Sequence, residues 1–265
     1  MNGQAVAALL WGLATATLAQ DTQAAPWLEE TFDSYELGPL DGQAPWTGST
    51  RNITIVSTVS LTGRAVCCDA DESPLLPVVW EVHRPVAVPD EGEHVFSFAV
   101  RVETPTASFA SQATLALGND SKWAIMLEIS PLTAVMTISD DFTDCIWTAI
   151  WDLGDAPGGN PDLTTGTFHV FALDLDFTKT VLPHDCVRDV RLDGQSQAER
   201  FSCGFPAHLW LLKPMDRLIL VNGCAMEGAT PDAVFFDNVT GQPALLCVRH
   251  WHLYSWAVAQ VVRLF

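Results

Sequence analysis

The sequence predicts an all-β chain, a sandwich or barrel of short antiparallel strands. Three observations predict it. Segments such as 94–102 and 167–176 alternate apolar and polar residues with period two, the signature of a strand with one face buried. About a dozen such segments follow one another at short, even spacing, separated by Gly, Pro, Asn-Gly and Asp-Gly punctuation. Ten Trp against five Met and few Lys describe a chain rich in strand formers and poor in helix formers.

Taken in order, the elements are as follows. Glu29 to Trp46 opens the folded region and reads as an edge strand running into a Gly-Pro and Asp-Gly loop closed by an aromatic residue. Residues 53–59 alternate β-branched and polar side chains, and strands over 64–68 and 78–83 follow turn-rich spacers. In 94–102, Phe96, Phe98, Val100 and Val102 share one face and Val95 and its alternates the other. Strands over 114–117 and 123–129 are joined by the turn signal Gly118-Asn119-Asp120-Ser121. Strands over 132–138 and 145–152 precede a Gly/Pro/Asn loop at 154–161. In 167–176, His169, Phe171, Leu173 and Leu175 alternate with Phe168, Val170 and Ala172. Residues 187–192 end at Asp193-Gly194, a hairpin turn, and 215–221 end at Asn222-Gly223. Val234 to Val239 forms a last apolar strand.

The ends read differently. An apolar run from Ala5 to Ala19, with Thr17-Leu18-Ala19 as a small-residue cleavage site, predicts a signal peptide over 1–19. The folded domain is expected over 27–242, with an atypical apolar tail over 243–265. That tail carries Arg249, His250, His252 and Arg263 and is a poor membrane span, so none is expected in the mature chain. Formal net charge is −19, from 13 basic and 32 acidic residues. Such a field excludes nucleic acid as a natural partner and suits a soluble protein, secreted or at the cell surface. Seven cysteines in that setting predict disulfides with at least one thiol left over. Cys186 and Cys203 flank an expected hairpin and form the favoured pair.

The opening Glu30-Thr31-Phe32-Asp33-Ser34-Tyr35, continued by Gly38, Leu40, Gly42-Gln43 and Trp46, carries a family pattern. So do the Leu173-Asp174-Leu175-Asp176 strand with its Asp193-Gly194 hairpin and the closing Phe236-Asp237-Asn238-Val239. Together they resemble secreted concanavalin A-like (LamG-like) jelly-roll domains over about Glu29 to Thr240. The resemblance implies an all-β, two-sheet antiparallel jelly-roll sandwich with its first and last strands paired. It also implies a structural calcium near them, for which the matching positions are Glu30, Asp33, Asp237 and Asn238. Hard cations take carboxylate and carbonyl oxygens of this kind. The plain alternative is that Asp33 and Asp237 only satisfy turn amides.

Catalytic patterns are weak. Asp174 with Asp176, or Asp140, Asp141 and Asp144, are the acids spaced to share a strand face. A strand-end role is the simpler reading of the first pair, and the laminarinase-like E-x-D-x-x-E arrangement is absent. No G-x-S-x-G elbow or phosphate-cradling Gly loop occurs. Sugar binding needs aromatic platforms, since a pyranose face stacks on an indole while polar neighbours bond its hydroxyls. Trp46, Trp123, Trp147, Trp151 and Trp210 are the candidates, though most tryptophans are core. The expected function is therefore a non-catalytic extracellular binding or adhesion module, with a glycan as partner. A polysaccharide-degrading hydrolase or lyase on the same fold, and a structural surface protein without a small ligand, are the alternatives.

Overall fold

The computed structural model describes residues 25–49, 53–68, 79–89, 91–103, 112–119, 123–130, 132–139, 145–154, 161–177, 187–201, 215–223 and 234–244. Pro26 to Ala244 forms the compact body. The expected leader, nearly all of the tail, Trp210, the Cys186–Cys203 pair and Asp140, Asp141 and Asp144 lie outside the described residues.

Among the described residues there are sixteen strands: β1 (Leu28–Glu30), β2 (Gly38–Pro39), β3 (Thr47–Ser49), β4 (Ile53–Val56), β5 (Ala65–Cys68), β6 (Val79–Pro85), β7 (Glu93–Val102) and β8 (Gln112–Gly118). They continue as β9 (Trp123–Ile129), β10 (Thr133–Ser139), β11 (Cys145–Asp152), β12 (Phe168–Asp176), β13 (Val187–Leu192), β14 (Gln195–Ser196), β15 (Arg217–Gly223) and β16 (Val234–Pro243). A single 3-10 turn, Ala198–Arg200, is the helical element among them.

The strands form two antiparallel sheets, a sandwich as expected. The nine-stranded sheet runs β14-β13-β12-β7-β16-β5-β4-β2, with β1 also on β16, and the seven-stranded sheet runs β11-β10-β9-β8-β15-β6-β3. The period-two segments decide which faces meet. Phe96, Phe98, Val100, Phe171 and Leu173 point inward from the first sheet. Leu115, Leu127, Met136, Leu218 and Leu220 answer from the second. They form one continuous core, as packing of two half-apolar sheets requires. Aromatic rings run through it, with Phe98 stacked on Phe171 at 5.6 Å and Trp151 edge-on to Phe171 at 5.1 Å.

β16 is the axis of the larger sheet. One edge pairs with β7 along its length. The other edge is shared, by β5 at Val234 to Phe236 and by β1 at Val239 to Gly241. The first and last strands are thus neighbours, and β1, paired with β16 alone among the described strands, keeps one side unpaired, as expected of an edge strand. A bulge between Asp237 and Thr240, with Asn238 at φ 49°, re-aims the chain at the seam between β5 and β1. At Gly241 the indole of Trp27 lies where a Cβ would stand, 2.3 Å from it, so only glycine fits.

Smaller departures have local causes. The expected strand over 53–59 ends at Val56, and the following bends form a loop used below. Asn222-Gly223 continues β15 between two neighbours instead of turning. Asp193 and Gly194 both take positive φ, 50° and 80°, as a two-residue hairpin turn demands.

Phe236 is fully buried at the centre of this arrangement. Phe236→Ala should cost about 3–5 kcal/mol as a large-to-small core change, read by denaturant unfolding. A loss below about 1 kcal/mol would show that it does not anchor the core.

Candidate functional site

The four residues matched to calcium do not form one cluster. Glu30 is 3% exposed and points into the space between the sheets. Its carboxylate accepts from the Phe32 amide at 3.0 Å, the Tyr35 hydroxyl at 2.8 Å and the Trp46 indole N–H at 3.3 Å. The Arg84 guanidinium, from β6 of the opposite sheet, completes the set. An arginine against the carboxylate neutralises it and leaves no attraction for a second cation there. Glu30 is a structural hub.

Asp33 and Asp237 meet instead at the loop between β4 and β5. Asp237 is fully buried and fills the seam on β16. Its oxygens accept from the Leu61 amide at 2.7 Å and the Asn238 amide at 2.7 Å. Asp33, exposed, accepts from the Arg64 amide at 2.7 Å. A Cβ on Gly63 would stand 2.4 Å from Asp33 Oδ1, so a larger residue there would displace that carboxylate. Burial pushes the Asp237 carboxyl up from its ordinary value, the Leu61, Asn238 and Thr62 amides oppose this, and the Asp33 charge adds to it. The Asn238 side chain accepts weakly from Thr62, at 3.4 Å. Among the described residues no group of three or more His, Cys, Asp or Glu is arranged to hold a metal ion. Asp33, Asp237 and Asn238 still present hard oxygens at one loop, whereas Glu30 does not join them.

The five candidate tryptophans also separate. Trp46 (1% exposed) and Trp151 (0%) are core residues and offer no face to a sugar. Trp46 stacks on Phe32 at 6.2 Å, and the Trp151 indole N–H donates to Gln197 at 3.1 Å. Both are as apolar and strand-compatible as a binding residue would be, so only the register separates the two roles. Trp147 lies in β11 opposite Ile138, its side chain outside the described residues. Of the five candidates, Trp123 is the one whose described side chain is half-buried, and it lies on an outer face. It packs with Met126 against Ala116, Ile219 and Val221, a cluster separate from the core.

That cluster lies on the outer face of the seven-stranded sheet. Cross-strand register sets its rows. One row passes Trp123, Gly118 and Arg217. The next passes Thr148, Thr137, Met126, Ala116, Ile219, His83 and Thr47. A third holds Glu128, Thr114, Val221 and Glu81. The polar groups near β6 are connected. Thr47 Oγ1 lies 3.2 Å from His83 Nε2, the Arg217 guanidinium donates toward the same nitrogen at 3.3 Å, and His83 Nδ1 is 3.6 Å from Glu81. The alternation that put Leu218 and Leu220 inside could have placed Arg217 and Ile219 on this face. The sequence reading missed Arg217 and His83 because neither sits in a motif.

Carboxylates on this face are poorly set for glycoside cleavage. Glu128 and Glu81 are three strands apart in one row, about 14 Å at ~4.8 Å per strand, against the 5–9.5 Å that hydrolysis uses. Asp174 and Asp176 lie on the outer face of the other sheet. Asp174 is paired with Arg191, and Asp176, itself fully buried, with Arg188.

No protein-family model matches the chain, and no curated protein matches it by sequence. Among solved structures it is similar to the receptor-binding domain of botulinum neurotoxin mosaic serotype C/D, at 9% identity and TM-score 0.51. That match covers 82% of this chain and 47% of the other, so the chain spans about half that domain's length. A carbohydrate esterase of the Shiga toxin-encoding bacteriophage phi24B matches at 14% identity and TM-score 0.48, over 83% of this chain and 99% of the other. A cellulose-induced protein, Cip1, matches at 14% identity and TM-score 0.46, over 82% and 97%. At these identities the likeness is one of fold. Among the described residues no helix is long and apolar enough to cross a membrane.

The Glu30 hub has a measurable consequence. Burial, and then the hydrogen bond to Glu30, push the Tyr35 phenol up to about 12. The unfolded chain ionises Tyr35 near pH 10 while the folded chain keeps its proton, so the folded state is progressively disfavoured as pH rises from about 10 to 12. The unfolding free energy of the native chain minus that of Tyr35→Phe should therefore shrink between about pH 9 and pH 11.5, by about 1.8 kcal/mol. An unchanged difference would show that the phenol is not held by the hub.

Proposed function

We propose that this chain is a non-catalytic carbohydrate-binding module, secreted or displayed at the cell surface, that takes a glycan across the outer face of its seven-stranded sheet. The observation that carries this reading is Trp123, half-buried beside Met126 on that face and flanked by Thr137, Glu128 and the Thr47–His83–Arg217 network. An indole offers a flat apolar platform for the C–H face of a pyranose, and the neighbouring hydroxyl, carboxylate and imidazole groups can bond its hydroxyls. The sheet fixes these side chains before any ligand arrives, which lowers the ordering cost of binding. A hydrolytic role on this face would need a closer carboxylate pair than Glu81 and Glu128 provide.

A glycan array probed with the full chain tests the reading. Binding to one class of glycan is expected, and Trp123→Ala should weaken it about tenfold or more, a loss of ~1.4 kcal/mol, measured at a temperature where the variant is still folded. Binding that is indifferent to Trp123 would overturn the assignment of this face.

A structural calcium belongs to the same proposal at Asp33, Asp237 and Asn238, without Glu30. A cation there would offset the mutual repulsion of the two carboxylates. Bound calcium would raise the melting temperature with its concentration, and Asp237→Asn should remove most of that rise. Equal melting temperatures in calcium and in chelator would leave the two acids as caps for the loop amides.

A further inference from the structure

A strand at the end of a sheet presents unpaired backbone groups to any further strand. Among the described strands, three of the four sheet ends are very short: β14 and β2 have two residues each and β3 has three. The fourth, β11, has eight. Its open side is engaged by an ion pair. The Asp152 amide donates to Asp162 Oδ2 at 3.0 Å, and the Asp152 carbonyl accepts from the Asp162 and Leu163 amides at 2.8 and 3.0 Å. Both backbone groups of a residue in an antiparallel strand point to one side, and the side alternates along the strand. Ile150 therefore faces the open edge as Asp152 does, and its carbonyl accepts from Arg200 at 3.4 Å. The same guanidinium grips the Asp162 carboxylate with two prongs, at 2.8 and 2.6 Å. Arg200 ends the 3-10 turn that follows β14, the end strand of the other sheet. Its hydrogen bond to Asp162 holds that carboxyl below its ordinary value, so the pair stays charged in mildly acidic media.

We propose that the Asp162–Arg200 pair is a guard on the open edge of β11, and that the edge it closes is one onto which β11 of a second copy of this chain would add. A half-exposed ion pair contributes little to stability by itself. What this one does is occupy outward backbone groups at Ile150 and Asp152, so that an added strand has to displace it. The two- and three-residue edges are too short to template a partner and need no such device. The occupant follows from the symmetry of the edge. Two β11 strands laid antiparallel about a two-fold axis offer each other the same outward groups. Apolar surface stands beside that edge, with Ile150 54% and Leu132 44% exposed, and the second copy would cover part of it. This role is independent of the glycan reading.

Sedimentation velocity of the full chain over a concentration series, with hydrogen exchange read at the Asp152 amide, tests this. Asp162→Ala and Arg200→Ala break the guard from either side. Each should self-associate at concentrations at least about tenfold below those the native chain needs. In Asp162→Ala the Asp152 amide should exchange faster than in the native chain when dilute, and regain protection as association sets in. Adding Ile150→Lys, a charge on the edge strand, should return either variant to native sedimentation. Variants that sediment as the native chain does, association that survives Ile150→Lys, or association without renewed protection at Asp152 would overturn the guard. Loss of the native circular dichroism in both single variants would overturn it too, since the pair would then belong to the fold rather than to its edge.

Discussion

The buried carboxylate of Glu30 is the constraint on which the entry to this fold depends. A charge at 3% exposure is tolerated only when its lone pairs are occupied and its charge is matched. Here the Phe32 amide, the Tyr35 hydroxyl and the Trp46 indole come from the opening segment, and Arg84 from the opposite sheet. One side chain therefore folds the segment from Phe32 to Trp46 back on itself and ties the two sheets together. The Phe32–Trp46 stack and the Arg64 contact with the Tyr35 carbonyl close the same region. Removing any one donor strands part of a buried charge, which makes the arrangement cooperative rather than a sum of separate bonds.

Much of the fold was legible in the sequence because the physics behind it is local. Period two in β7 and β12 stated which side chains face inward, and Asp193-Gly194 stated where a hairpin closes. The bounds of β9, β11 and β13 follow the apolar runs residue by residue. What was not legible is long-range. Glu30 lies three residues from Asp33 and looked like its partner in a cation site, yet Arg84, 54 positions away, claims its carboxylate. Trp46 and Trp151 are indistinguishable by composition from a binding tryptophan. Burial assigns them to the core, and burial is a property of both sheets at once. Trp123 sits beside the register shift in the β8–β9 pairing, and no local pattern announced it. Arg217 and His83 became a pair only when β15 was laid beside β6.

The two outer faces divide the charge between them. On the nine-stranded sheet, acids and arginines interlock: Arg188 with Asp176 and Glu93, Arg191 with Asp174, and Arg101 with Glu103. The exposed pairs contribute little stability individually, whereas Arg188 matches the fully buried charge of Asp176, and together they occupy that face with groups already satisfied. On the seven-stranded sheet, an indole, a methionine, an imidazole and a guanidinium share a face with threonines and two separated glutamates.

The position of β16 has a consequence for how the chain comes to be folded in the first place. The strand that contacts β1, β5 and β7 is the last in chain order of those described. Until Val234 to Pro243 has left the ribosome, β7 lacks one of its two neighbours, β5 has only β4, and β1 has no strand to align on. The larger sheet therefore cannot assemble progressively from its amino-terminal end during synthesis. Adding β16 joins segments more than 130 residues apart, which is slow and leaves apolar strand edges uncovered meanwhile. A ribosome-bound intermediate of this protein would hold its larger sheet as two unjoined pieces, β14-β13-β12-β7 and β5-β4-β2, and loss of β16 would leave them unjoined rather than fray one edge.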